Sequence, residues 1–221
     1  MLIGLVGFAG SGKGTVGDIL VNKYEFTKIS FADALKDAVS VIFGWDRSLL
    51  EGETDESRLF RETEDVWWTE RLGYSVKPRH ILQTMGTEAG RDVFHKDLWV
   101  HTVARRMMGV KNVVIPDVRF PNEIDFIKNS GGSVVRVIRG KEPKWYGTAE
   151  AANDDRFLHA PECAESMKKL GIHRSEWAWI GSQFHYHINN SGTKIMLESD
   201  ISHMIKVFTG PADSDILKHV A

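Results

Sequence analysis

The spacing of apolar residues changes from segment to segment, and each change predicts an element. "LIGLV" (Leu2 to Val6) is an unbroken apolar run closed by Gly7, the pattern of a parallel strand buried on both faces. From Lys13 onward Val16, Ile19, Leu20 and Tyr24 recur at helical spacing, and "FTKISF" (Phe26 to Phe31) then alternates as a strand does. "ADALKDAVSVIFG" predicts a second helix, with Ala34, Leu35, Ala38, Val39 and Ile42 on one side and Gly44 as its stop. Residues 45–77 are charge-rich, carry the adjacent Trp67 and Trp68 and lack alternation, so they predict a helical insertion. A further helix starts near Pro78, interrupted around Gly86 and Gly90, and another runs through Trp99, Val100, Val103 and Met107. "NVVIPDVR" reads as a buried strand, "PNEIDFIKNSGG" as a helix opened by Pro121 and closed by glycines, and "SVVRVIRG" as a strand. Between residues 141 and 176 the pattern weakens, which predicts a lid or mobile arm. "HYHINNSGT" then gives a last strand and turn, and "IMLESDISHMIKVF" an amphipathic closing helix.

Strands alternating with helices imply right-handed crossovers and a parallel α/β sheet covered on both faces, a three-layer fold within a single domain of residues 1–221. Ligands of such sheets bind outside the C-terminal ends of the strands, so the informative segments are 7–15, 30–36, 116–123 and 139 onward. Composition sharpens this without redirecting it. The formal net charge of -2 gives no bulk electrostatic drive toward nucleic acid, so an anionic ligand must be met by locally placed cations and backbone N–H groups. The single Cys163 permits no internal disulfide, in keeping with a reducing cytoplasm. No basic leader precedes the first strand and no apolar run reaches the ~20 residues of a membrane span, so neither signal peptide nor membrane segment is expected.

"GFAGSGKGT" (Gly7 to Thr15) lies between strand and helix, the context that makes Gly-x-x-x-x-Gly-Lys a phosphate loop. Ala9, Gly10, Ser11, Gly12, Lys13, Gly14 and Thr15 would turn successive N–H groups inward and place an anion at a helix N-terminus. Lys13 adds a cation for β- and γ-phosphate oxygens. Because Gly14 follows Lys13, the hydroxyl of Thr15 comes one position late. Thr15 is expected on a phosphate oxygen or near Mg²⁺, with the metal held largely by phosphates and water.

Asp117, at the end of the strongest strand, is placed to steer Mg²⁺ or its water, and Arg119 to reach a phosphate; a plain Asp–Arg ion pair is the competing reading. Glu123 in the next turn would anchor an arginine or a sugar hydroxyl. Arg91 offers a bidentate fork for an acceptor phosphate, Gln83 a paired donor and acceptor for a base edge, and Arg79 a weaker phosphate candidate. Arg139, better placed than Arg136 at its strand's end, would act beside Lys141, with Lys144 and Arg174 as possible lid cations. His159, Cys163 and His173, like His185 and His187, have irregular spacing for zinc and read as ordinary histidines. The tryptophans read first as core or interface residues.

The sequence resembles the bacteriophage-type deoxynucleoside monophosphate kinases and, more distantly, the adenylate kinases. Beyond the phosphate loop, the resemblance is carried by "SFADALKD", "ILQTMGTEAGR", "IPDVRFPNE" and "GGSVVRVIRG", with "HRSE" and "INNSGT" later. In the phage enzymes an Asp often replaces Gly14, so this loop is closer to the adenylate kinase form. The resemblance implies a phosphate-loop kinase fold in which 45–77 lies on the acceptor side and Ser30, Asp33 and Lys36 line the acceptor site. It also implies transfer of the γ-phosphoryl of ATP to a deoxynucleoside monophosphate with Mg²⁺, in a cytoplasmic homodimer whose partners are small substrates rather than nucleic acid or membrane. Trp67 and Trp68 are its candidate interface residues. A kinase of dephospho-coenzyme A or of a nucleoside, and a nucleotide-hydrolysing switch, are the alternatives.

Overall fold

The computed structural model describes residues 1–210. Its elements, in chain order, are β1 (Leu2–Val6), α1 (Lys13–Tyr24), β2 (Thr27–Lys28), α2 (Asp33–Phe43), α3 (Asp55–Glu62), α4 (Val66–Leu72), α5 (Pro78–Thr84), α6 (Leu98–Arg106), β3 (Val113–Ile115), α7 (Pro121–Asn129), β4 (Ser133–Ile138), α8 (Tyr146–Ala152), α9 (Ala160–Lys169), β5 (Tyr186–Asn189) and α10 (Lys194–Thr209). Short 3₁₀ turns cover Ser48–Leu50 and Arg174–Glu176, and a π-helix covers Met85–Phe94. The chain forms two units, one of residues 1–30 and 107–210, the other of Phe31–Arg106. No described helix is long and apolar enough to cross a membrane.

The first unit holds all five described strands, in the order β2-β3-β1-β4-β5, every pairing parallel. β1 is central because it is apolar throughout and buried at every residue, as a strand covered on both faces must be. Its odd positions Ile3 and Leu5 join Val16 and Leu20 of α1 and Ile201 and Ile205 of α10 in one core. On the other face Gly4 admits α7 so closely that a Cβ there would lie 2.3 Å from Ile127 Cδ1. The sheet is thus the middle of three layers, and its parallel α/β character agrees with the sequence reading.

Three local expectations need correction. "FTKISF" yields a two-residue edge strand, since its partner among the described residues, β3, is itself three residues long; bonds run from Thr27 N–H to Asn112 O at 2.8 Å and from Ile29 N–H to Val114 O at 3.0 Å. The 141–176 stretch is not irregular: α8 and α9 occupy it and pack on one another. Their buried residues are Ala149 in one and Met167 in the other, too few to show as a periodic apolar stripe. Ile42, expected on the packed face of α2, is 54% exposed.

The second unit is helical. Leu35 and Val39 of α2, Trp45, Leu50, Val76, Ile81 and Leu82 form its own core. The break expected near Gly86 and Gly90 is a widening of the helix rather than an interruption. A Cβ at Gly90 would meet Trp99 Cζ2 at 2.7 Å, and the Trp99 indole donates to Gly86 O at 2.7 Å, so the two glycines let the tryptophan lie against the π-turns.

Candidate active site

The phosphate loop is built by backbone conformation. Gly7 (φ +149°) and Gly12 (φ +96°) occupy angles that side-chain-bearing residues avoid, and a Cβ on Gly7 would sit 2.4 Å from Val137 O. Gly12 is the N-cap of α1 and supplies no side-chain cap, so the first N–H groups of that helix are available to an anion. Ser11 is 4% exposed and its Oγ is a buried polar atom with no hydrogen-bond partner among the described residues. A concave backbone with open helix N–H groups and an orphaned hydroxyl fits a phosphate, which offers acceptors only. Phe8 fixes the loop from beneath: its ring lies 5.0 Å from Trp179, 5.5 Å from Trp145 and 6.2 Å from Tyr146, in edge-on contacts. These two tryptophans therefore pack, as read from the sequence, and what they pack against is the loop.

Lys13 lies back along the loop and donates to Gly7 O at 2.7 Å and Phe8 O at 2.9 Å. Burial, and next the positive charge of Arg119, push its pKa down to about 8; Glu176 and Asp117 oppose them. Arg119 donates to Glu176 Oε1 at 2.7 Å and to Ser175 O at 3.4 Å. Burial works against the Arg119 charge, but Glu176, Asp117 and Glu123 outweigh it and hold its pKa above the ordinary arginine value. Asp117 Oδ2 accepts from Ser30 Oγ at 2.6 Å, so these two strand ends meet. Lys13, Arg119, Glu176 and Asp117 thus share one electrostatic neighbourhood in the sheet unit.

Other candidates have other surroundings. Glu123 is 1% exposed and its Oε2 accepts the N–H groups of Arg119 (2.7 Å) and Phe120 (3.1 Å), closing the first turn of α7. That oxygen is engaged with the main chain, and the carboxylate's charge also helps hold the Arg119 pKa up. Arg139 and Lys144 are exposed beyond β4, and Thr15 is exposed on the first turn of α1. Arg136 is the more enclosed arginine of its strand: it pairs with Glu142 and lies 5.2 Å from both the Tyr146 and the Trp179 rings.

In the helical unit Lys36 bonds Glu51 at 2.5 Å, Asp33 faces Arg47 and Arg106, and Arg79 bonds Glu62 at 2.9 Å. Arg91 lies in the π-helix, where its guanidinium reaches Lys96 O at 3.4 Å, and Gln83 is half-buried on α5. Of the tryptophan pair expected at an interface, Trp68 packs on the unit's core and donates to Phe43 O at 3.0 Å, while Trp67 is 52% exposed. Among the described residues, no group of three or more His, Cys, Asp or Glu could hold a metal ion.

Sequence reasoning passed over two residues that belong to this account. Glu176 lay inside "HRSE" and Asn190 inside "INNSGT", but nothing local marks either as a partner of Arg119 or of the loop. Asn190 Nδ2 donates to Ser11 O at 2.9 Å.

A model of the deoxynucleotide monophosphate kinase family matches residues 48–148, a stretch that includes Arg79, Gln83, Arg91, Asp117, Arg119 and Arg139. A protein of Acanthamoeba polyphaga mimivirus named as a deoxynucleotide monophosphate kinase is 36% identical over 152 residues, 63% of this chain and 74% of its own. The chain belongs to the deoxynucleotide monophosphate kinase family. A second relative, the deoxynucleoside-5'-monophosphate kinase of Escherichia phage T5, is 28% identical over 185 residues, 59% of this chain and 72% of the phage protein. Among solved structures, the shikimate kinase of Aquifex aeolicus aligns over 96% of this chain and 98% of its own, with a TM-score of 0.44 and 19% identity. The shikimate kinase of Bacteroides thetaiotaomicron aligns over 95% and 99%, with a TM-score of 0.42 and 16% identity. The family model and the two viral relatives bear out the resemblance to the deoxynucleoside monophosphate kinases stated above on sequence motifs.

Proposed function

We propose that this member of the deoxynucleotide monophosphate kinase family transfers the γ-phosphoryl group of ATP to a deoxynucleoside monophosphate, giving ADP and a deoxynucleoside diphosphate. The observation that carries the reading is the phosphate loop, with its orphaned Ser11 hydroxyl and its Lys13 seated on the loop's own carbonyls, in a chain of this family. A monophosphate oxygen attacks the γ-phosphorus, the bond to the β–γ bridging oxygen breaks, and ADP leaves with that electron pair. The attacking oxygen is already anionic, so no strong general base is needed. What the protein must supply is position and positive charge.

In this reading residues 9–15 hold the donor phosphates, and Lys13 exchanges its two carbonyl partners for phosphate oxygens. Arg119 and Arg139 offset charge on the transferred group. Arg91, with Arg79 behind it, holds the acceptor phosphate; Ser30, Asp33, Lys36 and Gln83 serve recognition of the acceptor. Lys36 and Asp33 would act through ion pairs already formed, as oriented rather than free charges. Mg²⁺, when bound, neutralises negative charge on the phosphate chain. Asp117, with Thr15, is the side chain to meet it or its water, and because the protein offers few ligands, phosphate and water oxygens would complete the set. A cytoplasmic homodimer completes the proposal, with exposed Trp67 rather than Trp68 at its interface.

The test is ADP release with ATP and Mg²⁺, adding dAMP, dCMP, dGMP, dTMP or GMP separately. ADP formed only when a deoxynucleoside monophosphate is present supports the proposal and identifies the acceptor. Equal ADP without acceptor would make the protein a nucleotide hydrolase, and silence with every acceptor would point to dephospho-coenzyme A or a nucleoside.

A further inference from the structure

We propose that Asn190, in the turn between β5 and α10, is a positioning residue that locks the phosphate loop in its anion-binding form. The inference rests on the reading of residues 7–15 as the donor site. Asn190 is fixed at its backbone first: its N–H donates to Ile138 O at 2.7 Å, extending the β4–β5 ladder by one bond. From that fixed point the side chain reaches across to the loop, and Nδ2 donates to Ser11 O at 2.9 Å.

A single peptide plane makes this bond consequential. The Ser11 carbonyl and the Gly12 N–H belong to the same peptide, and in a trans peptide they point in opposite directions. Tying the carbonyl to Asn190 therefore turns the Gly12 N–H away from that turn. Without the tie this peptide has more freedom to flip, because one of the two residues it joins, Gly12, is a glycine at positive φ. A flipped peptide would present a carbonyl oxygen where an anion needs a donor.

The contact is close as well as polar. A Cβ on Gly12 would lie 2.0 Å from Asn190 Nδ2 and 3.2 Å from Asn190 Cγ, so the amide occupies the space a side chain at 12 would need. Gly12 and Asn190 are two halves of one fitted contact. The turn itself is braced on both sides: Ser191 Oγ accepts from Gly140 N–H at 3.1 Å, Asn189 Oδ1 accepts from Ser191 N–H at 3.0 Å, and Asp200 Oδ2 accepts from Asn189 N–H at 3.3 Å. Asp200 also receives the Tyr186 hydroxyl at 2.8 Å. Asn190 thereby carries the rigidity of the β5–α10 corner into a loop made largely of glycine.

Two variants test this. Asn190→Ala removes the donor; Asn190→Asp keeps the shape, replaces the donor with an acceptor and adds negative charge beside the loop. Calorimetry with ADP reads loop competence without any acceptor substrate, and steady-state kinetics reads KM for ATP and for the acceptor separately. The expected result is a Kd for ADP and a KM for ATP raised about tenfold in Asn190→Ala, the value of roughly one buried hydrogen bond, and raised further in Asn190→Asp. KM for the acceptor should change by less than about twofold, since a uniform effect on both substrates would mean general damage. Gly12→Ala combined with Asn190→Ala should be less harmful than the sum of the two, because the collision is removed.

Unchanged ADP affinity in both variants would overturn the inference. So would parallel losses for donor and acceptor, or loss of the folded circular-dichroism spectrum in both, since Asn190 would then be a general structural residue. A wild-type protein that binds ADP but phosphorylates no deoxynucleoside monophosphate would sink the proposed reaction and leave the binding test of Asn190 intact.

Discussion

Raising the pH from 7 to 10 should weaken nucleotide binding through one lysine. Lys13 has its pKa pushed down to about 8 by burial and by Arg119, with the ordinary value at 10.5. In the free protein it is therefore mostly charged at pH 7 and almost wholly neutral at pH 10. A nucleotide's phosphates stabilise the charged form, so binding draws the pKa back toward its ordinary value and takes up a proton. If recovery is complete, linkage gives a fall in affinity of roughly 70-fold between pH 7 and pH 10. Half-recovery still leaves a fall of about 14-fold. The phosphates' own last ionisation, near pH 6, is about nine-tenths complete at pH 7 and adds little across this window.

Calorimetry at pH 8.5 in two buffers of different ionisation enthalpy measures the effect directly. Uptake of about three-quarters of a proton per nucleotide is expected for full recovery, and Lys13→Met should abolish it. Uptake near zero in the wild type, or equal uptake in the variant, would refute the assignment of Lys13 as the phosphate-facing cation. The stability consequence has the opposite sense. Between about pH 8 and 10.5 the folded chain binds fewer protons at Lys13 than the unfolded one. The cost of burying the charge is thus full below pH 8 and relieved as pH rises through that window.

Other residues give simpler expectations. Glu176→Gln removes a negative charge that raises the Lys13 pKa, so the pH at which nucleotide affinity begins to fall should move downward; a midpoint unmoved or raised would argue against their coupling. Gly12→Ala forces a side chain into the Asn190 amide at φ +96° and should lower ADP affinity at least about tenfold in calorimetry, with strain of order 1–3 kcal/mol. Trp179→Ala removes a ring that is 1% exposed and supports Phe8, and chemical denaturation should show a loss of about 3–5 kcal/mol.

Much of this protein is legible without coordinates. The unbroken apolar run of β1, the Gly-x-x-x-x-Gly-Lys signature after it and the helix that follows are local properties: burial on both faces, permitted φ and 3.6-residue spacing each leave a mark on neighbouring residues. So do the Pro121 opening of α7 and the Gly44 stop of α2, where φ is +70°. Short elements were harder: "FTKISF" alternates over more residues than the two that pair, and the helix of "YGTAEAA" is too brief for a period to emerge.

What only the tertiary structure decided is which groups share a neighbourhood. Asp117 and Ser30 stand 87 positions apart in sequence, Arg119 and Glu176 57, and Asn190 and Ser11 179. Parallel strands joined by crossovers bring such distant segments to one sheet edge, and no local pattern encodes the encounter. The same folding settled which charges are already committed. Glu123 closes a helix turn, Lys36 is paired with Glu51, and Lys13 is desolvated enough to titrate near neutrality. A residue's type is written in the chain, but its electrostatic state depends on what the fold places within a few ångströms of it.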